Sequence, residues 1–291
     1  MTYTLAIDYG TSFTAAAIRS GGETELVEVE DGRRFASGVF LAEDGALLVG
    51  RVALNQARRD PERFERTPKR LVGQPAVLLA GRAVEVTALI AAVLARVAEA
   101  ARQGQGGSEP EAVVLTHPAE WGPERRGVLE AAAHKAGIGA VRLMSEPEAA
   151  AWFFVSDRRG EEPAISVGRS VAVYDLGGGT FDTAVLRRRW GADFELAGPP
   201  GGLDWFGGEA FDERIFELVL NRLYARDPEI WRHLKQPESP SWQRARLQNW
   251  GTDLPWTVIP GRRAGASAPI ERGPSEQAGQ ATRPRRHQIR R

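Results

Sequence analysis

The sequence feature that most constrains the fold is a glycine-rich segment in the middle of the chain, VAVYDLGGGTFDTAVL at residues 171–186. Apolar and aromatic residues at 171–174 precede Asp175, and three consecutive glycines follow one residue later. A second run that is mostly apolar, at residues 183–186, begins directly after Asp182. This order of strand, glycine turn and strand predicts a β-hairpin rather than the strand-to-helix turn of a Walker loop.

The three glycines, Gly177, Gly178 and Gly179, need a physical reason because glycine loses more backbone entropy on folding than any other residue. They are favourable where backbone N–H groups must approach an anion with no Cβ atom between them. The carboxylate of Asp175, at the end of the strand, suits a divalent cation that bridges to phosphate. The alternative is a plain glycine hairpin with charged ends.

A second copy of this arrangement near the N-terminus favours the phosphate interpretation. Residues 4–18 repeat the order of apolar strand, Asp8, aromatic residue, Gly10, Thr11 and apolar strand. An internal repeat of one supersecondary unit predicts two similar lobes that face each other. The hypothesis that follows is a nucleotide held between two phosphate-binding hairpins, each of which offers one aspartate to a shared Mg²⁺.

Composition limits the class of protein. The 291 residues are 42% hydrophobic, with 38 basic and 38 acidic residues, so charge gives no reason to expect a nucleic-acid or membrane partner. There is no cysteine, which excludes disulfides, thiolate zinc sites and cysteine nucleophiles. With no signal-peptide pattern and no apolar run of membrane-spanning length, we expect a cytoplasmic protein. The sequence contains no P-loop, H-E-x-x-H, G-x-S-x-G or Rossmann fingerprint.

Periodicity along the rest of the chain predicts an α/β fold with further strands and several amphipathic helices. The strongest helix prediction covers residues 84–101, with Thr87 as its N-cap. A helix is also expected to begin near Glu146, with Pro147 in its first turn. The other predicted strands are 25–30, 39–41, 47–50, 112–116, 141–144 and 194–197, and the other predicted helices are 51–58, 124–136 and 209–226.

Together these segments resemble the ATPase domain of the Hsp70 chaperone family, within the superfold shared by actin, hexokinase and Hsp70. The resemblance extends from residue 3 to about residue 235, and each matching segment corresponds to a family motif. These segments are the phosphate-1 loop at 7–12, the phosphate-2 loop at 173–182, the first connecting motif at 145–151, the Gly-Gly-x-x-Phe-Asp turn at 206–212, and the strand and Pro at 112–118 followed by 124–126. The resemblance implies the actin-like ATPase fold, with two lobes each built on a mixed sheet with phosphate-binding hairpins, the second lobe being incomplete.

The resemblance also implies roles for individual residues. Asp8 and Asp175 would hold Mg²⁺, mostly through water, as hard oxygen ligands do. Lys69 matches the catalytic lysine, which orients the attacking water and neutralises charge that develops on the γ-phosphoryl group. The other expected catalytic residues are Glu146, Asp175 and Asp182, and the expected nucleotide-binding residues are Gly10, Thr11, Ser12, Gly177, Gly178, Gly179 and Thr180.

Plainer roles remain open for several of these residues. Lys69 could be a solvated lysine in a turn, Glu146 could simply cap a helix, and Asp182 could cap a turn. Pro118 and Arg126 match the relay between nucleotide state and substrate domain, although a plain surface role for Arg126 is an equal alternative. His117 is expected to be structural.

The expected domain organisation is a first ATPase lobe at 1–165 with an inserted sub-lobe at about 39–109, a partial second lobe at 166–235, and an irregular, disordered basic tail at 236–291. Residues 251–291 contain eight arginines against three acidic residues. A tail that binds nucleic acid is the alternative to one without function, and no nucleic acid is expected. No segment matches the later family motif that surrounds adenosine, so the sequence suggests a C-terminally truncated or frameshifted member.

Three functions are compatible with the sequence. The first is Mg²⁺-dependent hydrolysis of ATP to ADP and phosphate, coupled to chaperone activity, with client proteins or co-chaperones as partners by resemblance. The second is a nucleotide-binding remnant or regulatory module with little or no turnover. The third is another member of the superfold, such as a sugar kinase or filament ATPase; a sugar kinase would need a carboxylate general base in place of Lys69.

Overall fold

The computed structural model describes residues 2–30, 32–156, 165–190, 194–229 and Arg232, and the described residues form the following strands and helices. The strands are β1 (Thr4–Tyr9), β2 (Phe13–Ser20), β3 (Glu23–Leu26), β4 (Arg34–Ala36), β5 (Val39–Leu41), β6 (Leu47–Val49), β7 (Phe64–Glu65), β8 (Ala76–Leu79), β9 (Arg82–Glu85), β10 (Ala112–His117), β11 (Val141–Ser145), β12 (Ser170–Leu176), β13 (Phe181–Arg188), β14 (Phe194–Leu196) and β15 (Gly201–Leu203). The α-helices are α1 (Gly50–Ala57), α2 (Val86–Gly104), α3 (Pro123–Lys135), α4 (Glu146–Ser156) and α5 (Gly208–Tyr224), and two 3-10 helices cover Pro61–Arg63 and Pro68–Leu71.

Two hairpins of the same design belong to the two main sheets, as the sequence predicts. β1 pairs antiparallel with β2, and β12 pairs antiparallel with β13. Asp8 and Asp175 are each the next-to-last residue of the first strand of their hairpin. Opposite Asp8 in the register lies Ala15, whereas opposite Asp175 lies a second acidic residue, Asp182.

The first sheet is mixed. Its strand order is β11-β10-β1-β2-β3, and β4 also pairs with β2. β1, β10 and β11 run parallel, whereas β2 runs antiparallel to β1, β3 and β4. Helix α3 joins β10 to β11, because neighbouring parallel strands require a crossover connection.

Strand β1 has one face in the hydrophobic core and one exposed face, which carries Asp8. Leu5, Ile7 and Tyr9 are buried, and the alternate residues Ala6 and Asp8 are exposed. The period of two places each set on one face of the sheet. The buried face packs in one hydrophobic cluster with α2, whose apolar side chains are fully buried along one stripe. Burial of each large apolar side chain stabilises the fold by roughly 1.5–3 kcal/mol.

The second sheet is antiparallel throughout the part that the structure describes. Its order is β12-β13-β14, and β15 also pairs with β13. Strand β14 pairs with residues 186–188 of β13, and β15 pairs with residues 181–183. Helix α4 packs on this sheet and also contacts β10 and β11 of the first sheet. Ala151 of α4 is buried with Leu186 and Phe194, and the rings of Trp152 and Phe194 meet edge to face at 5.7 Å. Helix α4 therefore links the two sheets physically.

The segment between β4 and α2 forms smaller structures. β5, β6 and β7 make a three-stranded sheet in the order β6-β5-β7, covered by α1 through the buried residues Phe40, Ala53 and Ala57. β8 and β9 form a separate hairpin directly before α2. The 3-10 helix Pro68–Leu71 lies between these two structures in the chain and contacts α2.

Some sequence predictions about element boundaries are wrong. Thr87 is not an N-cap, because β9 extends through Glu85 and α2 begins at Val86. The strand predicted at 25–30 is instead β3, Glu23–Leu26, with a single bridge between Val29 and Gly32. The sequence does not predict β4, β7, β8, β9 or β15.

Among the helices of the described residues, none combines the length and the apolar character needed to cross a bilayer. The division into lobes at 1–165 and 166–235, with a sub-lobe at about 39–109, stays a prediction. The predicted tail at 236–291 lies outside the described residues.

Candidate functional site

The turns of the two hairpins lie against each other. A Cβ atom built on Gly178 would lie 2.3 Å from Ser12 Oγ, and one built on Gly179 would lie 2.6 Å from Thr11 Oγ1. Because both separations are far below van der Waals contact, a side chain at either position would force Ser12 or Thr11 to move. The structure thus brings the two predicted phosphate-binding turns together, and the contact between the turns is itself a reason for two of the glycines.

Gly10 and Gly177 shape the turns from within. A Cβ atom on Gly10 would lie 2.3 Å from the carbonyl oxygen of Phe13, so the first turn requires glycine there. The N–H of Gly177 donates to the carbonyl oxygen of Thr180 at 2.9 Å and closes the second turn. Because that amide is used inside the hairpin, the predicted amide contacts to phosphate depend on Gly178 and Gly179.

Three carboxylates converge at the ends of the hairpins. Asp175 and Asp182 are cross-strand partners, and the hydroxyl of Thr180 donates to Asp182 Oδ2 at 2.7 Å. Burial raises the pKa of Asp175, and the negative charges of Asp182 and then Asp8 raise that pKa further. Like charges directly opposite each other on a sheet destabilise it. This cluster therefore has a net attraction for a cation.

Lys69 and Glu146 form an ion pair beside the carboxylates. Lys69 Nζ lies 2.5 Å from Glu146 Oε1, and only 7% of the lysine is exposed. The 3-10 helix Pro68–Leu71 carries the lysine, and Glu146 is the first residue of α4. Burial raises the pKa of Glu146 although Lys69 opposes this effect, and Asp8 and Asp175 raise that pKa further. Lys69 thus places one buried positive charge beside the acidic residues of the site.

Two aromatic rings flank the lysine. Lys69 Nζ lies 5.9 Å from the centroid of the Tyr9 ring and 5.8 Å from that of the Trp121 ring. Both rings are buried. An aromatic face attracts a cation at this range, and the attraction is larger where water is excluded. The rings therefore attract the lysine ammonium and restrict its direction.

The neighbouring residue, Arg70, contacts the second hairpin turn directly. Its Nη2 donates to the carbonyl oxygen of Gly179 at 2.9 Å, and its guanidinium lies 4.7 Å from the centroid of the Trp205 ring. Asp8 is also oriented from a neighbouring strand, because Thr116 Oγ1 of β10 donates to Asp8 Oδ1 at 2.8 Å. Every predicted catalytic residue lies within this network of contacts and electrostatic interactions.

His117 is held by a local contact. Its Nδ1 lies 2.8 Å from the carbonyl oxygen of Pro118, so this nitrogen carries a proton and donates. Burial lowers the pKa of His117, and the positive charges of Arg126 and Lys69 lower it further. The pair Pro118 and Arg126 therefore lies near the site, and its predicted relay role stays a prediction.

Several residues that support the site are not evident from the sequence. Arg66 and Arg70 flank Lys69, the predicted catalytic lysine, in the chain, and Glu209 is identified only as part of a motif. Their proximity to Lys69 and to the Gly-Gly motif was the available signal, since charged residues beside a phosphate site commonly position it. Thr116 and Trp121 had no distinctive sequence signal.

The described residues contain no group of three or more histidine, aspartate or glutamate side chains placed to hold a metal ion directly. A site in which Asp8 and Asp175 act mostly through water has no need of such a group. The predicted metal-binding role of these two aspartates stays a prediction.

Comparison with known proteins identifies the family. The family described as Hsp70 protein matches residues 76–230. Chaperone protein DnaK of Elusimicrobium minutum (strain Pei191) is 33% identical over 224 residues, which are 75% of this chain and 35% of that protein. Heat shock 70 kDa protein BIP3 of Oryza sativa subsp. japonica is 31% identical over 256 residues, which are 77% of this chain and 37% of that protein.

The chain spans about a third of the length of these relatives. The matched residues include α3, α4, the second hairpin and α5, so the comparison covers much of the site described above. The mixed α/β architecture agrees with the actin-like ATPase fold that this family implies. On the extent of this match, the chain belongs to the Hsp70 protein family.

Proposed function

We propose that the chain binds ATP with Mg²⁺ and hydrolyses it to ADP and phosphate, as the nucleotide-dependent part of an Hsp70-type chaperone. The observation that carries this proposal is the meeting of the two hairpin turns beside the buried Lys69–Glu146 ion pair. Phosphoryl transfer from ATP requires positioning and charge stabilisation more than covalent chemistry. The described site offers both.

The chain's own groups would bind the phosphates as follows. The amides of Gly178 and Gly179 lie in the second turn, and the hydroxyl of Thr11 lies in the first. The hydroxyl of Thr180 donates to Asp182 and would have to rotate away from that carboxylate to reach phosphate. Backbone N–H groups without side chains can approach phosphate oxygens closely. Hydrogen bonds to a charged phosphate are stronger than those between neutral groups.

The carboxylates of Asp8 and Asp175 would hold a divalent cation mostly through water, with Asp182 beside them. Asp175 and Asp182 oppose each other in the register, and the charge of Asp8 raises the pKa of Asp175. Bound Mg²⁺ would supply charge neutralisation to the phosphates, with Asp8 and Asp175 as its protein anchors. The mutual repulsion of the carboxylates is the structural feature that supports this assignment.

Lys69 and Glu146 have complementary roles in this proposal. The lysine ammonium stabilises negative charge on the γ-phosphoryl group and orients the attacking water by donating a hydrogen bond. Glu146 and the flanking Tyr9 and Trp121 rings restrict the direction of the lysine side chain. Because Lys69 and Glu146 are largely shielded from solvent, the interaction between them is stronger than it is in water.

Hydrolysis by the purified 291-residue chain tests the proposal. Rates are measured with Mg²⁺ and ATP for the wild type, Asp8→Asn and Lys69→Ala, and Lys135→Ala serves as the matched control. Lys135 also forms an ion pair, with Glu85 at 2.6 Å, but lies on the surface. We expect losses of about a hundredfold or more for the first two variants and none for the control. Equal background rates in all four proteins would exclude ATP hydrolysis by this chain.

A second candidate is nucleotide binding with little turnover. One observation favours it: Phe211, Leu218 and Val219 of α5 are 45%, 59% and 53% exposed. Exposed apolar side chains along a helix are typical of a surface that another element covers. Without such cover, closure of the site around ATP is weaker. ATP binding that depends on Asp8 without measurable hydrolysis in any of the four proteins would support this candidate.

A complete chaperone activity would involve parts of the relatives that this chain does not match. Since the chain spans about a third of the relatives' length, client proteins, co-chaperones and a cytoplasmic location are parts of the proposal.

A further inference from the structure

Glu209 is an unusual residue in its helix. Of the 17 residues of α5, the buried ones are Glu209 and Leu220, and only 6% of Glu209 is exposed. A buried carboxylate is unfavourable unless it is paired and hydrogen-bonded. Glu209 meets both conditions in the first turn of α5, where the helix dipole also favours a negative charge.

The partners of Glu209 come from two other parts of the site. Ser12, in the turn of the first hairpin, donates through Oγ to Glu209 Oε1 at 3.0 Å. The guanidinium of Arg66 forms an ion pair with Glu209 Oε2. Arg66 lies three residues before Lys69 on the segment that carries the catalytic lysine.

The backbone at the start of α5 contacts the second hairpin as well. The N–H of Gly208 donates to the carbonyl oxygen of Gly177 at 3.0 Å, and the N–H of Glu209 donates to that of Gly178 at 2.8 Å. A Cβ atom on Gly207 would lie 2.7 Å from the Gly177 carbonyl oxygen, so glycine permits this close approach. The beginning of α5 thus contacts both turns and the lysine segment.

We propose that Arg66 and Glu209 form an ionic clamp that keeps the Lys69 segment and the first hairpin turn in register with the second turn. The clamp joins residues from three separate stretches of the chain: Ser12, Arg66 and Glu209. Both charged residues are positioning residues in this proposal, because they act on the site through the segments that they join. The catalytic consequence of the clamp rests on the proposed ATPase function, whereas the clamp itself does not.

The physical reasoning is that removal of one member of a buried ion pair leaves the other buried charge uncompensated. The start of α5 then separates from the second turn more often, which exposes the amides of Gly208 and Glu209 to solvent. The Lys69 segment loses its ion pair with the start of α5 at the same time, while Arg70 still donates to the carbonyl oxygen of Gly179. We therefore expect a loosened site rather than an unfolded protein.

The first experiment needs no nucleotide. Hydrogen exchange of the Gly208 and Glu209 amides is measured in the wild type, Arg66→Gln and Glu209→Gln. The matched control is Glu217→Gln, on the same helix, where Glu217 pairs with Arg214 at 2.8 Å on the surface. We expect exchange at these amides to rise about tenfold or more in the first two variants and less than twofold in the control. An equal response of Arg66→Gln and Glu217→Gln would overturn the clamp.

The variant Arg66→Lys tests whether the positive charge at position 66 is what protects these amides from exchange. Lysine keeps the positive charge that the clamp requires, so Arg66→Lys should restore part of the exchange protection that Arg66→Gln loses. The planar fork of donors, which lysine lacks, accounts for the rest. Failure of Arg66→Lys to exceed Arg66→Gln, with both variants folded by circular dichroism, would also overturn the clamp, because its charge would then be irrelevant.

The second experiment tests the consequence for catalysis. We expect the single-turnover rate of bound ATP to fall about tenfold in Arg66→Gln and to stay unchanged in Glu217→Gln. An unchanged rate in Arg66→Gln would overturn the positioning role of the clamp. If the wild type binds no ATP, the proposed function fails, and the exchange measurements alone then decide whether the clamp exists.

Discussion

Alanine substitutions along the three adjacent glycines distinguish contact between the hairpin turns from a role in phosphate binding alone. In Gly179→Ala the new Cβ would lie 2.6 Å from Thr11 Oγ1 and 2.7 Å from Thr11 Cγ2. Both branches of the threonine side chain are too close, so rotation of Thr11 about χ1 exchanges one overlap for another. In Gly177→Ala the nearest atom outside its own neighbours is the Thr180 carbonyl oxygen at 3.4 Å, which is an ordinary contact.

The two substitutions should therefore differ in stability without any ligand. Overpacking a close contact costs about 1–3 kcal/mol, and replacement of glycine by alanine at a compatible position stabilises by about 0.4–1 kcal/mol through the unfolded chain. We expect Gly179→Ala to lower the free energy of unfolding by about 1–2 kcal/mol, whereas Gly177→Ala leaves it unchanged or slightly raised. Gly178→Ala should be intermediate, because Ser12 can rotate away but then loses its hydrogen bond to Glu209.

Urea unfolding of the nucleotide-free proteins, followed by circular dichroism, measures this difference. A shift of about 1 kcal/mol moves the midpoint by roughly 0.3–1 M urea, which is well resolved. Equal midpoints for Gly177→Ala and Gly179→Ala would refute the argument that the glycines serve contact between the turns. If in addition both variants lost ATP affinity, phosphate approach alone would explain the three glycines.

Three further outcomes follow from individual contacts. Burial and Asp182 raise the pKa of Asp175 above its ordinary 3.8, so this group lowers the stability of the fold as pH rises past that value. In urea unfolding, Asp175→Asn should therefore stabilise the nucleotide-free protein by about 0.2–1 kcal/mol at pH 7 and by less at pH 4. Because burial lowers the pKa of His117 below its ordinary 6.5, stability should fall as pH drops below 6.5, and His117→Gln should reduce this loss when unfolding is compared at pH 7 and pH 5. Thr116→Val removes the hydroxyl that donates to Asp8, so calorimetric titration should show affinity for Mg²⁺-ATP reduced by about threefold to tenfold with the melting temperature little changed.

The sequence was sufficient to predict the elements whose pattern has a single structural interpretation. The second hairpin was predicted because a short apolar run ends at an aspartate and glycines, and a second strand follows at once. The first hairpin was predicted from its repetition of that order. Helix α2 has a long stripe of apolar residues at helical spacing, and its existence follows from that stripe.

The β8–β9 hairpin before α2 is not evident from the sequence, because the apolar spacing of α2 continues into β9. Val84 continues the apolar spacing of the helix, but β9 pairs with β8 and ends at Glu85. The turn between these strands is formed by Ala80 and Gly81, at φ 46° and 76°. Turns of this kind are usually recognised by Asn-Gly or Asp-Gly, and this turn has Ala-Gly instead. Because alanine seldom adopts a positive φ, the sequence gives no turn signal here. Tertiary pairing, and not local preference, decides the structure here.

The candidate site, too, could be predicted only in part from the sequence. The residue types at Asp8, Lys69 and Asp175 indicate phosphate chemistry from the sequence alone. The contact between Arg66 and Glu209 was not predictable, because the chain contains many charged residues and their spacing carries no information about which distant pairs meet. The glycines were assigned to anion binding, whereas the structure adds a steric reason that only the position of the first hairpin reveals.

The central claim, that the two hairpins form one binding site for ATP and Mg²⁺, is tested most directly by calorimetric titration of the wild type and Asp8→Asn. Each protein is titrated with ATP in Mg²⁺ and again in excess EDTA. We expect binding by the wild type in Mg²⁺, with the affinity reduced about tenfold or more by either EDTA or the substitution. Absence of binding, or an affinity that neither change alters, would contradict the claim.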